Sequence, residues 1–179
     1  MTPTDYIQLK AFARSDGFWL ALLWIASFAF YLLGLATPTL SLVALLLAFA
    51  TPILVWKRLK HFRDYGLEGN ISFLRAWAYV IMSFFYGSVL FAIAQFCYFN
   101  FLDQGYLLAM YAKMMELPEN AEVIKQAGMQ QMVDDALNSL GSLRPIDLSL
   151  NLLTTHLMMG VVMGLPIAGL LQRKASVNS

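Results

Sequence analysis

Three polar side chains that can hydrogen-bond or carry a proton lie within or beside long apolar runs of this sequence. Gln95 and Asn100 stand in the third run, and His156 stands in the fourth. Polar groups inside a membrane are costly, so they are usually retained for a structural or functional reason. An imidazole in such a place can move a proton or bind a substrate, and an amide can only donate and accept hydrogen bonds.

Gln95 and His156 are expected at similar depths. Gln95 lies about 10 Å along the helix from Leu102, and His156 lies about 12 Å from Leu148, at the rise of an α-helix. If the two helices touch, the side chains meet and hydrogen-bond, which contributes about 0.6–2 kcal/mol. The alternatives are a bond from His156 to the backbone or to Thr155, and a role for His156 in a proton or substrate path.

Asp103 follows the third apolar run directly. A spacing of three residues places Asn100 and Asp103 on one helix face. The expected partners of Asp103 are Arg144, or the free backbone N–H groups in the first turn of the last span. We interpret Asp103 as an anchor that ties one helix end to its neighbour.

Local catalytic and metal-binding motifs are missing from the sequence. It contains no GxSxG, HExxH, CxxC, Walker loop or GxGxxG pattern. No cofactor, metal or nucleic acid is therefore expected. We also expect no carboxylate deep within a span, which argues against autonomous proton-coupled transport.

The elements that position these residues are four apolar runs. The chain is 59% hydrophobic and 13% charged, against about 25% charged for a soluble domain. About 20 apolar residues cross a bilayer as a helix. We predict an all-α fold, an integral membrane four-helix transmembrane bundle forming a single domain over residues 1–179, with spans at about 18–36, 40–58, 74–102 and 147–171. A cleaved signal ending near Ala36 is the less favoured interpretation of the first run.

The distribution of Lys and Arg predicts the orientation, because basic residues favour the cytoplasmic side. Three lie in the segment between spans three and four: Lys113, Lys125 and Arg144. The others lie on the opposite side: Lys10, Arg14, Lys57, Arg58, Lys60, Arg63, Arg75, Arg173 and Lys174. Both termini are expected in the cytoplasm and residues 103–145 outside it, in a bacterial inner membrane.

The loop between spans two and three concentrates positive charge. Lys57, Arg58, Lys60 and Arg63 can attract anionic lipid headgroups, each contributing about 1 kcal/mol. The alternatives are topology anchoring alone and binding of an acidic partner. Span two is expected to continue to a left-handed Gly66, and Asn70 or Ser72 to cap span three.

The segment at 103–145 is expected to form a small helical extracytoplasmic cap. Pro118 suits the first turn of a helix, and Gly128 is expected to divide the segment. An amphipathic helix ending near Gly141 follows, with its apolar stripe at Met129, Met132, Val133, Ala136, Leu137 and Leu140. This stripe packs on the bundle, lies among headgroups or receives a partner.

Small residues indicate close helix contacts within the membrane. Gly160 and Gly164 form one such face, and Ser83 and Gly87 form another. The sequence leaves open whether these faces join helices of one chain or two copies of a homo-oligomer.

The stretches "ISFLRAWAYVIMSFFYGSVLFAIAQFCYFNFLDQGYLLAM" and "VIKQAGMQQMVDDAL" resemble the family catalogued as domain of unknown function 4199. Its members are small four-span inner-membrane proteins of Gram-negative bacteria. In "YFNFLDQGYL", Asp103 matches the family pattern, but Gln104 stands where Pro is usual, which puts the helix break there in question.

The resemblance implies no activity and no catalytic residue. A weak association of the family with envelope glycosyltransferase genes implies an accessory role. We therefore expect a non-enzymatic accessory or assembly component of the cell envelope. The alternatives are a small transporter or lipid-handling protein that uses Gln95 and His156, and an integral enzyme acting on a lipid-linked substrate.

Overall fold

A computed structural model describes residues 3–173 of the chain. Its elements are α1 (Pro3–Ala36), α2 (Pro38–His61) with a π-helical turn (Phe62–Gly66), α3 (Phe73–Phe101), α4 (Tyr106–Met115), α5 (Pro118–Gln126), α6 (Gln130–Ser142) and α7 (Pro145–Leu171). Four of the described helices, α1, α2, α3 and α7, are long and apolar enough to cross a membrane. The predicted all-α, four-span architecture is confirmed.

Helix α1 begins far before the apolar run at 18–36, because its polar first part has a buried face. Leu9, Ala13, Asp16 and Leu20 recur at helical spacing and are all buried. This part of α1 packs on the rest of the bundle. The chain segment that precedes the apolar run is therefore a structural element of the fold.

The membrane helices follow the spatial order α2, α1, α3, α7, in which neighbours pack extensively and α2 and α7 scarcely touch. The ring of four helices is therefore incomplete between α2 and α7. The start of α1 and the α2–α3 turn lie at one end, where Gln8 Nε2 donates to Gly66 O at 2.7 Å. Residues Ile71 and Arg173 exchange two backbone hydrogen bonds there, and we call this the basic end.

Both small-residue faces are used within the chain. A Cβ added at Gly160 would overlap the ring of Phe84, and one at Gly164 would lie 2.8 Å from Trp77 Cδ1. Helices α3 and α7 therefore approach closely, and Trp77 Nε1 donates to the carbonyl of Val161 at 3.1 Å. Ser83 and Gly87 face α1 instead, where a Cβ at Gly17 would lie 2.8 Å from Ser83 O.

The turn between α2 and α3 differs in detail from the prediction. The left-handed residues are Glu68 and Gly69, not Gly66. Gly66 ends the π-helical turn, and a Cβ there would lie 3.0 Å from Phe62 Cδ2, so this glycine is closely packed against the ring of Phe62. Ser72 caps α3 as predicted, its hydroxyl accepting from the backbone N–H of Arg75.

Helices α4–α6 form a small cap at the opposite end of the bundle, which we call the cap end. Pro118 lies in the first turn of α5, and Gly128, with φ of 65°, separates α5 from α6 as predicted. Helix α6 runs past Gly141 to Ser142. It ends there because Pro145 disfavours helical geometry at the residue before it, and Arg144 is extended.

The apolar stripe of α6 is only partly covered. Leu140 and the following Leu143 reach the bundle, where they line a cavity. Met132 is 64% exposed and Met129 is 41% exposed. The end of the stripe nearest α7 therefore packs on the bundle, and its beginning stays open.

Candidate ligand-binding cavity

A cavity of about 850 Å³ lies between α1, α2, α3 and α7 at the cap end. Helices α4 and α6 cover it through Leu107, Tyr111 and Leu140. No Lys, Arg, Asp or Glu is among the described residues that line it. Its polar lining, besides Gln95 and His156, consists of Ser27, Tyr31, Ser41, Thr51, Tyr111 and Asn151.

The cavity lies where the ring of helices is incomplete. Its walls include Leu45 and Ala48 of α2 and Leu152 and Met159 of α7, the two helices that scarcely touch. A gap between two membrane-spanning helices faces the hydrocarbon of the bilayer.

Gln95 is the buried amide of this site. It is 2% exposed, and its Oε1 has no hydrogen-bond partner. An unsatisfied buried acceptor costs about 1–3 kcal/mol. This oxygen is itself buried, so it lies within the wall and does not face the open volume of the cavity.

His156 packs its ring against Trp24 and Phe91, with centroid distances of 4.6 and 5.0 Å. Its Nδ1 lies 2.8 Å from the carbonyl of Leu152. Because a carbonyl only accepts, Nδ1 donates, and Nε2 of the neutral ring is then an acceptor.

The predicted hydrogen bond between Gln95 and His156 is not formed in the described structure. The two side chains line the same cavity, but His156 uses the backbone partner that was the alternative, and Gln95 Oε1 is unpaired. The helical turn places the Leu152 carbonyl one turn before His156 without any adjustment of the helices. His156 therefore bonds to the Leu152 carbonyl of its own helix and not to Gln95 of α3.

The cap is joined to the bundle by a hydrogen bond between the hydroxyls of Tyr31 on α1 and Tyr111 on α4. Both tyrosines line the cavity. This bond therefore holds α4 over the cap end of the cavity.

Replacing Tyr111 by Phe is expected to loosen α4. One hydrogen bond contributes about 1 kcal/mol, so amide hydrogen exchange in α4 should accelerate about fivefold. Exchange of the purified protein, followed by mass spectrometry of α4 peptides, measures this. Tyr106→Phe on the same helix is the control, and equal exchange in both variants would contradict the assignment.

Asp103 anchors a different helix from the one expected. Its carboxylate accepts from the backbone N–H groups of Gly105 and Leu107, both at 3.1 Å. It therefore holds the start of α4, and the predicted contact with Arg144 or the first turn of α7 is wrong. Arg144 instead pairs with Asp147 of its own helix at 2.8 Å.

The helix break that Gln104 put in question is present. Helix α3 ends at Phe101, and Gln104 and Gly105 both have positive φ, of 45° and 84°. Because α3 ends before Asp103, the predicted shared helix face of Asn100 and Asp103 does not exist. Asn100 is exposed near the end of α3.

The basic residues expected at lipid headgroups divide into two kinds. Lys57 and Lys60 are exposed. Arg58 pairs with Asp16 at 3.4 Å, and Arg63 pairs with Asp64 at 2.7 Å. Binding of headgroups by these four residues stays a prediction; Lys174, also counted for orientation, lies outside the described residues.

Asp16 is a buried carboxylate that lies just before the predicted first span at 18–36, and it was not singled out from the sequence. It is 4% exposed within α1, accepts a hydrogen bond from the Tyr79 hydroxyl of α3 and pairs with Arg58 of α2. It therefore joins three helices near the basic end. The signal in the sequence was its place on the same helical face as Leu9, Ala13 and Leu20.

The described residues contain no group of three or more His, Cys, Asp or Glu side chains arranged to hold a metal. Residues 15–173 match the family described as Protein of unknown function (DUF4199). Comparisons with curated proteins and with solved structures gave no match.

Proposed function

This chain belongs to the DUF4199 family, and we propose that it is a membrane protein that binds the apolar part of a lipid-like amphiphile without transforming it. The observation that carries this proposal is the cavity of about 850 Å³ beside the gap between α2 and α7. Ligand sites in proteins are mostly apolar cavities of about 300–1,000 Å³ with a few polar groups. This cavity has that size and composition.

The hydrogen bonding of the lining supports binding over catalysis. Ser27 Oγ donates to the carbonyl of Ala44 at 2.9 Å, and Thr51 Oγ1 accepts from Trp24 Nε1 at 3.1 Å. A nucleophilic hydroxyl needs a base that takes its proton. These hydroxyls are occupied in holding α1 to α2.

Filling the cavity is expected to abolish retention of the amphiphile. Ala48 lines the cavity and Ala50, on the same helix, does not. Ala48→Phe should lower the amount of co-purified lipid at least about fivefold, because the added ring occupies the binding volume, and Ala50→Phe should retain it.

Native mass spectrometry of the protein extracted with its surrounding membrane patch measures the retained molecules. A stoichiometric lipid that is lost in Ala48→Phe and kept in Ala50→Phe supports the proposal. Equal retention by both variants, or no retained lipid in the wild type, would overturn it.

We propose a bacterial inner membrane as the location, with both termini in the cytoplasm. The start of α1, the α2–α3 turn and Arg173 lie together at the basic end. This end also carries Lys57 and Lys60, and the positive-inside rule favours the cytoplasm for such a surface.

Assembly with an envelope protein, such as a glycosyltransferase, is the second candidate function. It is supported by exposed apolar side chains on the cap, where Val123 is 65% and Met132 is 64% exposed. The same mass spectrum distinguishes the two, because a protein companion in fixed stoichiometry would support assembly.

A further inference from the structure

We infer that the basic end of the bundle holds a second ligand site, in which Lys10 and Arg14 bind the phosphate of an anionic glycerophospholipid. The site is a surface groove of about 220 Å³ beside α1 and α3, lined by Ile7, Lys10, Ala11, Arg14 and Tyr86. Among residues 3–173, this groove and the cavity at the cap end have no lining residue in common. The inference therefore goes beyond the proposed function.

The close approach of α1 and α3 forms the groove. A Cβ added at Gly17 would lie 2.7 Å from Cβ of Tyr86 and 2.8 Å from the backbone oxygen of Ser83, so the two helices nearly touch there. Because Arg14 precedes Gly17 by less than one helical turn, this contact places Tyr86 beside Arg14. The other lining residues share one face of α1, at the helical spacing of Ile7, Lys10, Ala11 and Arg14.

The two cations of the groove have no anionic partner in the described structure. The two acidic residues of α1 are paired elsewhere, Asp5 with Arg75 at 3.3 Å and Asp16 with Arg58 at 3.4 Å. The described lining contains no Asp or Glu. Two like charges four residues apart on a helix repel each other, so an anion that contacts both is favoured.

The groove offers the donors that a phosphate needs. Arg14 makes no hydrogen bond with the described residues, and its planar guanidinium can bind two phosphate oxygens at once. Lys10 Nζ lies 5.1 Å from the centre of the Tyr6 ring, a contact that does not neutralise its charge. The hydroxyl of Tyr86 also has no hydrogen-bond partner in the described structure. A guanidinium, an ammonium and a hydroxyl therefore line one groove.

The surroundings of the groove favour a lipid over a free phosphate ion. On the same face of α1, Ile7 is 67% exposed and Phe18 is 49% exposed, and Phe18 begins the apolar run at 18–36. The two cations therefore lie where the apolar part of the helix begins, which is the depth of lipid headgroups. A phosphate bound by Arg14 leaves its acyl chains to extend along α1 in the hydrocarbon.

Phosphatidylglycerol and phosphatidylcholine with the same acyl chains distinguish an anionic from a zwitterionic headgroup. The groove has no carboxylate for the choline ammonium among its described residues. We expect the wild type to bind one phosphatidylglycerol at least about tenfold more tightly than phosphatidylcholine, since only the anionic lipid brings net negative charge to the two cations. Native mass spectrometry of the purified full chain, titrated with each lipid, measures this preference.

The double variant Lys10→Gln, Arg14→Gln is expected to lose the preference. Tyr86→Phe removes only a hydroxyl and should weaken binding of phosphatidylglycerol about fivefold. Lys57→Gln, Lys60→Gln is the matched control, because it removes the same charge from the basic end without altering the groove lining, and it should keep the preference. All four cations are exposed, so both double variants should keep the thermal stability of the wild type.

A preference that is lost in Lys10→Gln, Arg14→Gln and kept in the control supports the inference. Equal binding of the two lipids by the wild type, or an equal loss in both double variants, would overturn it, because binding would then follow net charge alone. Displacement of phosphatidylglycerol by inorganic phosphate would overturn the assignment of a lipid. Ala48→Phe, which fills the cavity at the cap end, should keep the preference, so the groove and the proposed function are tested independently.

Discussion

Replacing Arg58 by Met is expected to lower the free energy of unfolding by about 3–5 kcal/mol. The substitution leaves the carboxylate of Asp16 without its cation, and that side chain is only 6% exposed. An unpaired charge in a buried position is costly because neither water nor an opposite charge compensates it.

Removing the carboxylate instead of the cation is expected to lower the free energy of unfolding by less. Asp16→Asn leaves Arg58 unpaired, but the arginine side chain is 33% exposed and can reach water or headgroups. The double variant Arg58→Met, Asp16→Asn is expected to be more stable than Arg58→Met alone, since it contains no unpaired buried charge.

Unfolding of the purified protein by SDS in mixed micelles measures these differences. Arg144→Met is the matched control, because it breaks the exposed ion pair with Asp147, and its unfolding midpoint should equal that of the wild type. If Arg58→Met also unfolds at the wild-type midpoint, the ion pair of Asp16 does not stabilise the bundle.

Replacing Gly160 by Ala is the second change with a large expected effect, and it acts on the contact between α3 and α7. The added methyl group would overlap Cβ and Cγ of Phe84, which is fully buried. Overpacking of this kind destabilises a core by about 1–3 kcal/mol.

Gly169→Ala, on the same helix, is the control. Nothing lies within 4 Å of a Cβ at Gly169, so alanine there should be neutral or stabilising by up to about 1 kcal/mol through its helix propensity. SDS unfolding compares the two variants. Equal stability would show that α3 and α7 do not approach as closely as the structure has them.

The contact between α3 and α7 at Gly160 also affects the shape of the cavity. His156 lies one turn before Gly160 on α7, and Gln95 lies on α3, so the approach of these two helices determines the separation of the two polar side chains. We expect Gly160→Ala to lower the amount of co-purified lipid as well as stability, because separating α3 from α7 changes the shape of the cavity between them.

Features that depend only on residues close together in the chain could be predicted from the sequence. Four apolar runs of sufficient length determine four membrane helices, because the bilayer excludes unpaired backbone groups. Pro118, Gly128 and Ser72 act through their own backbone or a neighbour within one turn, so their roles were predictable. The sequence also predicted the close-contact face of Gly160 and Gly164, but not which helix packs on it.

The tertiary structure alone decided which helices became neighbours. Lipid is as apolar as the helix surfaces, so hydrophobicity does not select pairs of helices, and shape and polar contacts must do so. Asp103 had plausible partners on α7, but its carboxylate accepts from the backbone N–H of Leu107, only four residues later, which is a local contact that the sequence analysis missed.

The surroundings of Asp16, near the basic end, and of Gln95, near the cap end, also depend on which helices become neighbours. Asp16 becomes a buried junction only because α2 and α3 bring Arg58 and Tyr79 beside α1. Gln95 is left unpaired because no neighbouring helix in the described structure supplies a donor to Oε1. The amino-acid sequence by itself determined the four spans and the family; the packing of the helices decided where the cavity and the unpaired Gln95 Oε1 lie, since both depend on residues that are distant along the chain.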